Sequence, residues 1–390
     1  MKITILGSGG HGWSSLNNYI TTVNHDIEFW YLPVDWGGFT GLFGRLMEKE
    51  NRGFNSSLHT KVVPVFPWGD MNKLIGFFIE KKYNAKLRNH FEIRHHLIKE
   101  ENEKLLVEMS SDLIELCNGL DVEKKILLEG LDYLGKCLDE INYSYDTLKY
   151  NCKKGSISNF WNNFIFSQEY NMQSFNYFYQ RVGVLPYNIS LNFVGKDRFV
   201  LVGEDTKGNK VIGEELVDEN SNPIMPGSFG LETINGSPVS IRDLGEFEYK
   251  LQLADYIIIP NGSIANWLPL VNYESIKNIL IQKSKEGRVI AFMNLFHTKN
   301  EYQYSYYLKY LNNLGISTLV IGPRLHHIIL NKSLIKAYER ENKFLNDLEN
   351  METENYLACL EVVSQEEQSE IVGVKYSPSS VSKVLKLLIR

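Results

Sequence analysis

The chain opens with two short apolar segments on either side of an amphipathic one. "KITIL" and "IEFWYLPV" (residues 27–34) are apolar on both faces, which is typical of strands buried in a parallel sheet. Between them, "WSSLNNYITTV" has the length and spacing of a helix. This β-α-β unit predicts an α/β fold, specifically a Rossmann-like, mostly parallel, doubly wound sheet. A third strand is expected at "KVVPVF" (residues 61–66), ahead of the turn "PWGD".

The pattern changes between residues 72 and 150. Glycine and proline nearly vanish there, and apolar residues recur at intervals of three and four, as in "HLIKEENEKLLVEMSSDLIELC". This spacing predicts several packed helices, which we interpret as a helical lobe inserted into the sheet. The expected organisation is therefore an N-terminal part of the Rossmann-like domain at 1–71, the helical insert at 72–150, and the remainder of the α/β domain at 151–390.

Strand patterns return in the last part of the chain. Near residues 197–250 the sequence predicts a hairpin that turns at Lys207, Gly208 and Asn209, followed by an irregular loop at 217–245. Buried strands are expected at "ADYIIIPNGS", "RVIAFMNL" and "STLVIG", with helices between them. The chain ends in a predicted strand, "EIVGVKY", and a helix, "SSVSKVLKLLI", so we expect the sheet to draw on both ends of the sequence.

Composition and charge exclude several classes of partner and of site. The formal net charge of −6 gives no basic field, so we expect neither nucleic acid nor a membrane surface as a partner. The four cysteines lie far apart without a CxxC pair, which argues against a zinc ribbon or a disulfide framework. The sequence shows neither a secretion signal nor an apolar run long enough to cross a membrane. A cytoplasmic location is the resulting expectation.

A glycine-rich turn follows the first predicted strand. Gly7, Gly9 and Gly12 satisfy G-x-G-x-x-G, and Asp35 ends the next strand, where an acid that binds a ribose would lie. Glycines let a ligand approach the backbone, and the amide groups and dipole of the following helix favour an anion. The pattern therefore predicts a phosphate site, and one interpretation of it is an NAD(P)-dependent oxidoreductase.

Two further turns argue against a plain NAD site. "PVDWGGFTGLFGRL" places Gly37 and Gly38 directly after Asp35, and "FPWGDMNKL" places Asp70 after the third strand. A dinucleotide fold needs only the acid at the second position. All three turns follow the carboxyl ends of predicted strands, which is the edge where open parallel sheets bind ligands.

These segments resemble a known superfamily. "GSGGHGWSSL", "VDWGGFTG" and "PWGDMNK" are similar, in this order, to the "GGGTGLSVL", "ADDGGSSG" and "PPGDIRN" motifs of the CofD/YvcK superfamily. The resemblance continues over nearly the whole chain in "SISNFWNNFIFS", "VLPYN", "GNKVIGEELV", "ADYIIIPNGSIANWLP" and "AFMNLFHTKNE". That superfamily contains the 2-phospho-L-lactate transferases of deazaflavin cofactor synthesis and a gluconeogenesis-factor branch that binds UDP-sugars.

The resemblance implies a site and a reaction. It implies that a nucleotide, or a nucleotide-linked small molecule, is held by Gly9, Gly10, His11, Gly12, Gly37, Gly38, Asp70, Asn159, Gly262, Ser263 and Asn294. Asp35 would be the catalytic residue and the ligand of Mg²⁺, which needs only one or two protein carboxylates beside phosphate oxygens. The resemblance also implies a homodimer.

Several residues depart from the family pattern. The paired acids of "DDGG" become Asp35 and Trp36, the threonine of "GGTG" is His11, and the arginine of "GDIR" is Asn72. The motif "GPGS" becomes "PNGS" at residues 260–263. The leading hypothesis is a transferase that moves a phospho-ester group from a nucleoside-diphosphate-linked donor to an alcohol. The alternatives are a non-catalytic UDP-sugar-binding regulator and the NAD(P)-dependent oxidoreductase.

Overall fold

The computed structural model describes most of the chain. The described residues are 1–7, 10–34, 69–83, 88, 95–96, 104, 107–108, 110–112, 114–115, 117, 119–132, 154–155, 157–167, 171–213, 222–233, 235–298, 301–323, 343–346, 356–367 and 370–389. The predicted third strand at 61–66 lies outside them. The chain divides into two compact units, the first formed by Met1–Val34 with Asn192–Arg390 and the second by Asp35–Leu191.

The strands and helices alternate in the order expected of an α/β protein. The strands are β1 (Lys2–Leu6), β2 (Asp26–Tyr31), β3 (Ile189–Phe193), β4 (Phe199–Glu204), β5 (Lys210–Ile212), β6 (Gly230–Thr233), β7 (Tyr256–Ile259), β8 (Val289–Phe292), β9 (Phe296–Thr298), β10 (Leu319–Pro323), β11 (Lys343–Leu345), β12 (Tyr356–Leu360), β13 (Val362–Glu367) and β14 (Glu370–Tyr376). The helices are α1 (Gly10–Ile20), α2 (Gly69–Lys82), α3 (Ile157–Ser167), α4 (Met172–Arg181), α5 (Phe247–Leu253), α6 (Leu268–Val271), α7 (Glu274–Lys285), α8 (Tyr304–Asn313) and α9 (Pro378–Leu388).

The central sheet confirms the predicted fold class. Within the described ranges, seven strands lie in the order β12-β10-β8-β7-β1-β2-β3, and β1 pairs in parallel with both β2 and β7. The pairs β7–β8, β8–β10 and β10–β12 are parallel as well. Every residue of β8 is buried, as are Ile257, Ile258 and Ile259 of β7, because helices cover both faces of such a sheet.

The direction of the chain across the sheet reverses between β1 and β7. From β1 the chain passes through α1 to β2 on one side, whereas from β7 it passes through α6 and α7 to β8 on the other. The two strands are direct neighbours, with Ile3 opposite Tyr256 and Ile5 opposite Ile258. Doubly wound sheets bind ligands at the carboxyl ends of the strands at such a reversal.

The predicted hairpin is present, and its sheet is larger than expected. β4 and β5 are antiparallel, and the turn between them places Gly208 at a φ of 81°. The backbone amides of Lys207 and Asn209 both donate to Asp205 Oδ1, at 2.8 and 2.9 Å. The stretch predicted as an irregular loop supplies β6, which pairs with β4 and makes a three-stranded sheet.

The last strand of the chain lies in a different sheet from the one expected. "EIVGVKY" does form a strand, β14, but it pairs antiparallel with β13 in a two-stranded ribbon and does not join the central sheet. Among the described strands, the edge of the central sheet next to β10 is instead β12, which was not predicted from the sequence. The final helix, α9, lies where it was predicted and packs against α1.

The described parts of the second unit are largely helical. α2, residues 121–132, α3 and α4 are helices, and His95–His96 pairs with Lys154–Gly155 as a two-residue ribbon. α4 begins with a capped turn, in which the Asn171 side chain accepts a hydrogen bond from Ser174 N. The expected insert at 72–150 falls within this unit, and its boundaries stay predictions. No helix among the described residues has the length and apolar character that crossing a membrane requires.

Candidate functional site

The predicted site residues fall in different parts of the structure. Gly10, His11 and Gly12 form the start of α1, and Asp70 lies in the first turn of α2. Gly262, Ser263 and Asn294 lie at the carboxyl ends of β7 and β8 in the first unit, whereas Asn159 lies in α3 of the second. Gly9, Asp35, Gly37 and Gly38 lie outside the described residues.

The turn after β1 contacts the loop after β7. Gly7 has a φ of +44°, and its amide donates to Trp30 O of β2 at 2.7 Å. A Cβ atom added at Gly7 would lie 2.6 Å from Asn266 O and 2.9 Å from Asn266 Cβ. Only glycine suits this position, because a side chain would meet both an unfavourable backbone conformation and the backbone of the neighbouring loop. The two loops at the reversal point therefore meet directly.

Asn294 holds the loop that follows β7. Its Oδ1 accepts from Gly262 N at 2.7 Å, and its Nδ2 donates to Gly262 O at 2.6 Å. Ser263 Oγ accepts from Ala265 N at 3.3 Å and caps the short 3₁₀ helix Ile264–Asn266. The structure thus brings three predicted site residues together. It assigns Asn294 a role in fixing the loop, while its contact with a ligand stays a prediction.

Three side chains fix the chain that leaves β8. The Tyr304 hydroxyl donates to Phe292 O at 3.0 Å, Tyr376 donates to Met293 O at 2.6 Å, and Asn346 Nδ2 donates to Asn294 O at 2.8 Å. Burial raises the pKa of Tyr304 far above its ordinary value, so its hydroxyl stays protonated and remains a donor. These consecutive carbonyl groups are all satisfied, which holds Asn294 in place to support Gly262.

Asn261 is a further polar residue at this edge, and the sequence analysis did not propose it as a ligand contact. The residue is only 7% exposed, and its Oδ1 is buried without a hydrogen-bond partner. Leaving such an acceptor unpaired costs free energy, and unpaired buried groups are concentrated at functional sites. The one signal in the sequence was that residues 260–263 read "PNGS" where the superfamily motif is "GPGS", so that Asn261 replaces proline.

In the second unit, Asn159 belongs to a buried hydrogen-bonded chain. Asn72 Nδ2 donates to Asn159 Oδ1, Asn162 Nδ2 donates to Asn72 Oδ1, and the Tyr179 hydroxyl donates to Asn162 Oδ1. All four side chains are buried. The structure therefore joins one predicted site residue, Asn159, to Asn72, which stands where the family motif has arginine. Asn162 and Tyr179 were not predicted, because nothing local in the sequence marks them as partners of Asn159.

Acidic and thiol groups are not clustered in the described ranges. No group of three His, Cys, Asp or Glu side chains suited to a metal ion occurs there. Asp35, the predicted magnesium ligand, follows Val34 directly in sequence but lies outside the described residues. Its metal-binding role stays a prediction.

Comparison with known proteins supports the fold. A crystal structure of protein BH3568 from Bacillus halodurans has a TM-score of 0.64 at 15% sequence identity and covers 98% of each chain. A second crystal structure of BH3568, described as a member of the UPF0052 family, has a TM-score of 0.63 at 15% identity and covers 100% of this chain and 99% of that one. No protein-family profile and no curated protein matches the chain. At such low identity, the likeness shows a shared fold over the full length.

Proposed function

We propose that the chain binds a nucleoside-diphosphate-linked ligand at the carboxyl edge of the sheet and transfers a phospho-ester group from it to an alcohol. The observation that carries the proposal is the reversal of chain direction between β1 and β7. At this point the glycine turn after β1 contacts the loop after β7 through Gly7 and Asn266. Ligands of doubly wound sheets bind at this position.

The local chemistry suits a phosphate. α1 begins at Gly10, and the first amide groups of a helix have no partner within the helix, so these groups and the helix dipole favour an anion at this edge. The loop of Gly262 is held by two hydrogen bonds from Asn294, and such preorganisation lowers the cost of binding. UPF0052 is the CofD/YvcK family, so the similar fold of BH3568 agrees with the resemblance found in the motifs.

The residues available also fit Mg²⁺. This ion prefers oxygen ligands and is usually bound by one or two carboxylates together with phosphate oxygens. Asp35 would hold it, and the unpartnered Oδ1 of Asn261 is an additional oxygen donor at the edge of the sheet. When bound, Mg²⁺ would offset the negative charge of the diphosphate.

The chain's own groups would then position the reaction. The amides of the glycine turns bind the phosphates, and Asp35 orients the acceptor hydroxyl and accepts its proton. The hydroxyl oxygen forms a bond to phosphorus, the bond to the nucleoside phosphate breaks, and the nucleoside monophosphate leaves with the electron pair. Positioning and charge stabilisation supply most of the catalysis in such transfers.

A second function is favoured by one residue. Trp36 stands where the family has its second acid, so only one carboxylate is present at this turn. A non-catalytic regulator that binds a UDP-sugar needs no acid to orient an acceptor. That function shares the binding site and differs only in the absence of turnover.

Thermal shift and turnover measurements separate these functions. We expect the chain to be stabilised by GDP or a UDP-sugar more strongly with Mg²⁺ than without it, and the magnesium-dependent part to be lost in Asp35→Ala. The matched control is Asp26→Ala, since Asp26 is an exposed acid at the opposite end of β2. Release of a nucleoside monophosphate in the presence of an alcohol acceptor such as the deazaflavin alcohol would support the transferase.

The other outcomes of the same measurements are equally informative. Stabilisation without dependence on metal and without turnover would assign the regulator. Stabilisation by NAD(P) alone would overturn both functions.

A further inference from the structure

Asparagine followed by glycine occurs three times in the sequence, at Asn118–Gly119, Asn235–Gly236 and Asn261–Gly262. This pair is especially prone to spontaneous deamidation, because glycine has no side chain to hinder attack by its backbone nitrogen on the asparagine side chain. Asn118 lies outside the described residues. The other two pairs lie in the first unit, so their surroundings can be compared directly.

Deamidation converts the asparagine side chain into a carboxylate in two steps. The backbone nitrogen of the following glycine loses its proton and forms a bond to the side-chain carbonyl carbon, while the bond to the side-chain nitrogen breaks and ammonia leaves. Water then opens the resulting succinimide ring and gives aspartate or isoaspartate. The reaction therefore needs a glycine amide that is free to attack and an asparagine side chain that water can reach.

The pair Asn235–Gly236 meets both requirements. Asn235 is exposed in the turn that follows β6, and nothing lies within 4 Å of a Cβ atom added at Gly236. Gly236 N donates to Thr233 O at 2.9 Å, but this hydrogen bond closes an exposed turn. An exposed turn with few packing contacts opens locally at little cost in free energy, and opening releases the Gly236 amide.

The pair Asn261–Gly262 meets neither requirement. Asn261 is only 7% exposed, and Gly262 N donates to Asn294 Oδ1 at 2.7 Å. The same side chain donates from Nδ2 to Gly262 O at 2.6 Å, and Asn346 Nδ2 donates to Asn294 O at 2.8 Å. Release of the Gly262 amide therefore requires that a side chain with two hydrogen bonds to one residue, and with its own backbone held, lets go.

The hydrogen bonds act on the attacking amide of Gly262 and not on the group that it would attack. Asn261 Oδ1 is buried, and no group among the described residues donates to it. We propose that Asn294 protects Asn261–Gly262 from deamidation by binding the attacking amide, and that Asn235–Gly236 is a modification site at which the folded chain deamidates spontaneously. The inference does not depend on the binding of a ligand.

The modification would have different consequences at the two positions. At Asn261, the new carboxylate, or the additional backbone CH₂ group of isoaspartate, would alter the loop whose Asn266 lies against Gly7. At Asn235, the new charge would lie in an exposed turn, where water solvates it. Asn294 therefore preserves the covalent structure of the loop at the edge of the central sheet.

Peptide mapping by mass spectrometry tests the inference on the full-length chain. After incubation at mildly alkaline pH, tandem spectra locate the change in mass that replaces an amide by a carboxyl group. We expect Asn235 to deamidate at least about tenfold faster than Asn261 in the folded chain, because the Gly262 amide must first lose its hydrogen bond to Asn294. In concentrated urea the two rates should be equal, since glycine follows both asparagines.

Variants of Asn294 test which group protects the loop. Asn294→Ala removes both hydrogen bonds and should accelerate deamidation of Asn261 at least about tenfold, with the rate at Asn235 unchanged as an internal reference. Asn294→Asp keeps an acceptor for Gly262 N and should leave Asn261 protected. Asn278→Ala, which removes an exposed asparagine from α7, is the control and should change neither rate.

The other outcomes overturn the inference. Equal rates at Asn235 and Asn261 in the folded chain, or a difference that persists in urea, would show that the fold does not select the site. An unchanged rate at Asn261 in Asn294→Ala, or the same acceleration in Asn294→Asp, would overturn the protective role of Asn294. If Asn294→Ala does not fold, Asn294→Leu removes the same hydrogen bonds with a side chain of similar size. A chain that binds no nucleotide would contradict the proposed function and leave these measurements unaffected.

Discussion

Asparagine side chains work differently in the two units. In the first unit, Asn294 uses both its oxygen and its nitrogen on the backbone of one residue, Gly262. In the second unit, Asn72 bonds to the side chains of Asn159 and Asn162, so that the three residues form one buried hydrogen-bonded chain. The first arrangement fixes the path of a loop, whereas the second joins side chains of α2, α3 and α4 in the interior of the second unit.

This difference predicts how each region responds to substitutions. A loop held by backbone contacts loses its shape when a partner is removed, so its variants should reduce both stability and ligand binding. A hydrogen-bonded chain of buried side chains can lose one hydroxyl and keep its helices in place. Loss of one hydroxyl there should reduce stability without displacing the backbone.

The largest expected effect is at the contact between the two edge loops. Gly7→Ala should reduce the free energy of unfolding by about 3 kcal/mol, because it combines a positive φ with overlap against Asn266. Gly287→Ala is the matched control, since Gly287 has a φ of +68° and nothing within 4 Å of an added Cβ, and it should cost only about 1 kcal/mol. Urea unfolding of both variants measures the difference. Equal costs would show that the loops do not constrain each other.

Removing the two hydrogen bonds between Asn294 and Gly262 should give the next largest loss of stability. Asn294→Ala leaves an amide and a carbonyl of Gly262 without partners and should reduce stability by about 2 kcal/mol. Ligand affinity should fall with it, because the loop would no longer be held. Asn278→Ala, which removes an exposed asparagine from α7, should change stability by less than about 0.5 kcal/mol. If the Asn294→Ala variant binds the ligand with unchanged affinity, the Gly262 loop is not part of the binding site.

A smaller loss of stability is expected at the end of β8, where side chains bind the carbonyl groups next to Asn294. Tyr376→Phe removes the donor to Met293 O and should lower the free energy of unfolding by about 1 kcal/mol. Tyr249→Phe serves as the control because Tyr249 is exposed, and its hydroxyl should contribute nothing measurable. Chemical denaturation at neutral pH compares the two. A Tyr376→Phe variant as stable as the control would show that the end of β8 is held by other contacts.

The smallest expected effect is a pH dependence of the stability of the second unit. Burial raises the pKa of Glu123, but the hydrogen bond and charge of Arg181 more than offset this and hold the pKa below its ordinary value. A lowered pKa contributes stability that is complete above the unfolded value of about 4.3 and is lost as the pH falls through the folded value. The stability advantage over Arg181→Met should therefore shrink between about pH 5 and pH 3.

Urea midpoints at several pH values measure that change. Lys125→Met breaks an exposed ion pair with Glu129 and should show no comparable dependence on pH. An advantage over Arg181→Met that stays constant down to pH 3 would contradict the role assigned to Glu123.

The fold was predictable from the sequence to a large extent, and the site much less. The buried strands β1, β2, β7, β8 and β10, the hairpin of β4 and β5, and α9 follow local apolar patterns and turn residues, which a sequence displays directly. β12 was missed and β14 was expected in the wrong sheet, because the pairing partner of a strand is not a local property. The Gly262 loop was expected at the site, but the hold of Asn294 on it was not.

The sequence by itself determined the α/β class, the glycine turn after β1 and the motifs that lie at strand ends, because these depend on periodicity and on residues close in the chain. Only the tertiary structure decided that β1 lies beside β7, that Gly7 contacts Asn266, and that Asn72 forms hydrogen bonds with Asn159 and Asn162. Each of these depends on groups far apart in sequence. Hydrogen bonds and close contacts act over a few ångströms in space, so folding alone brings such partners together.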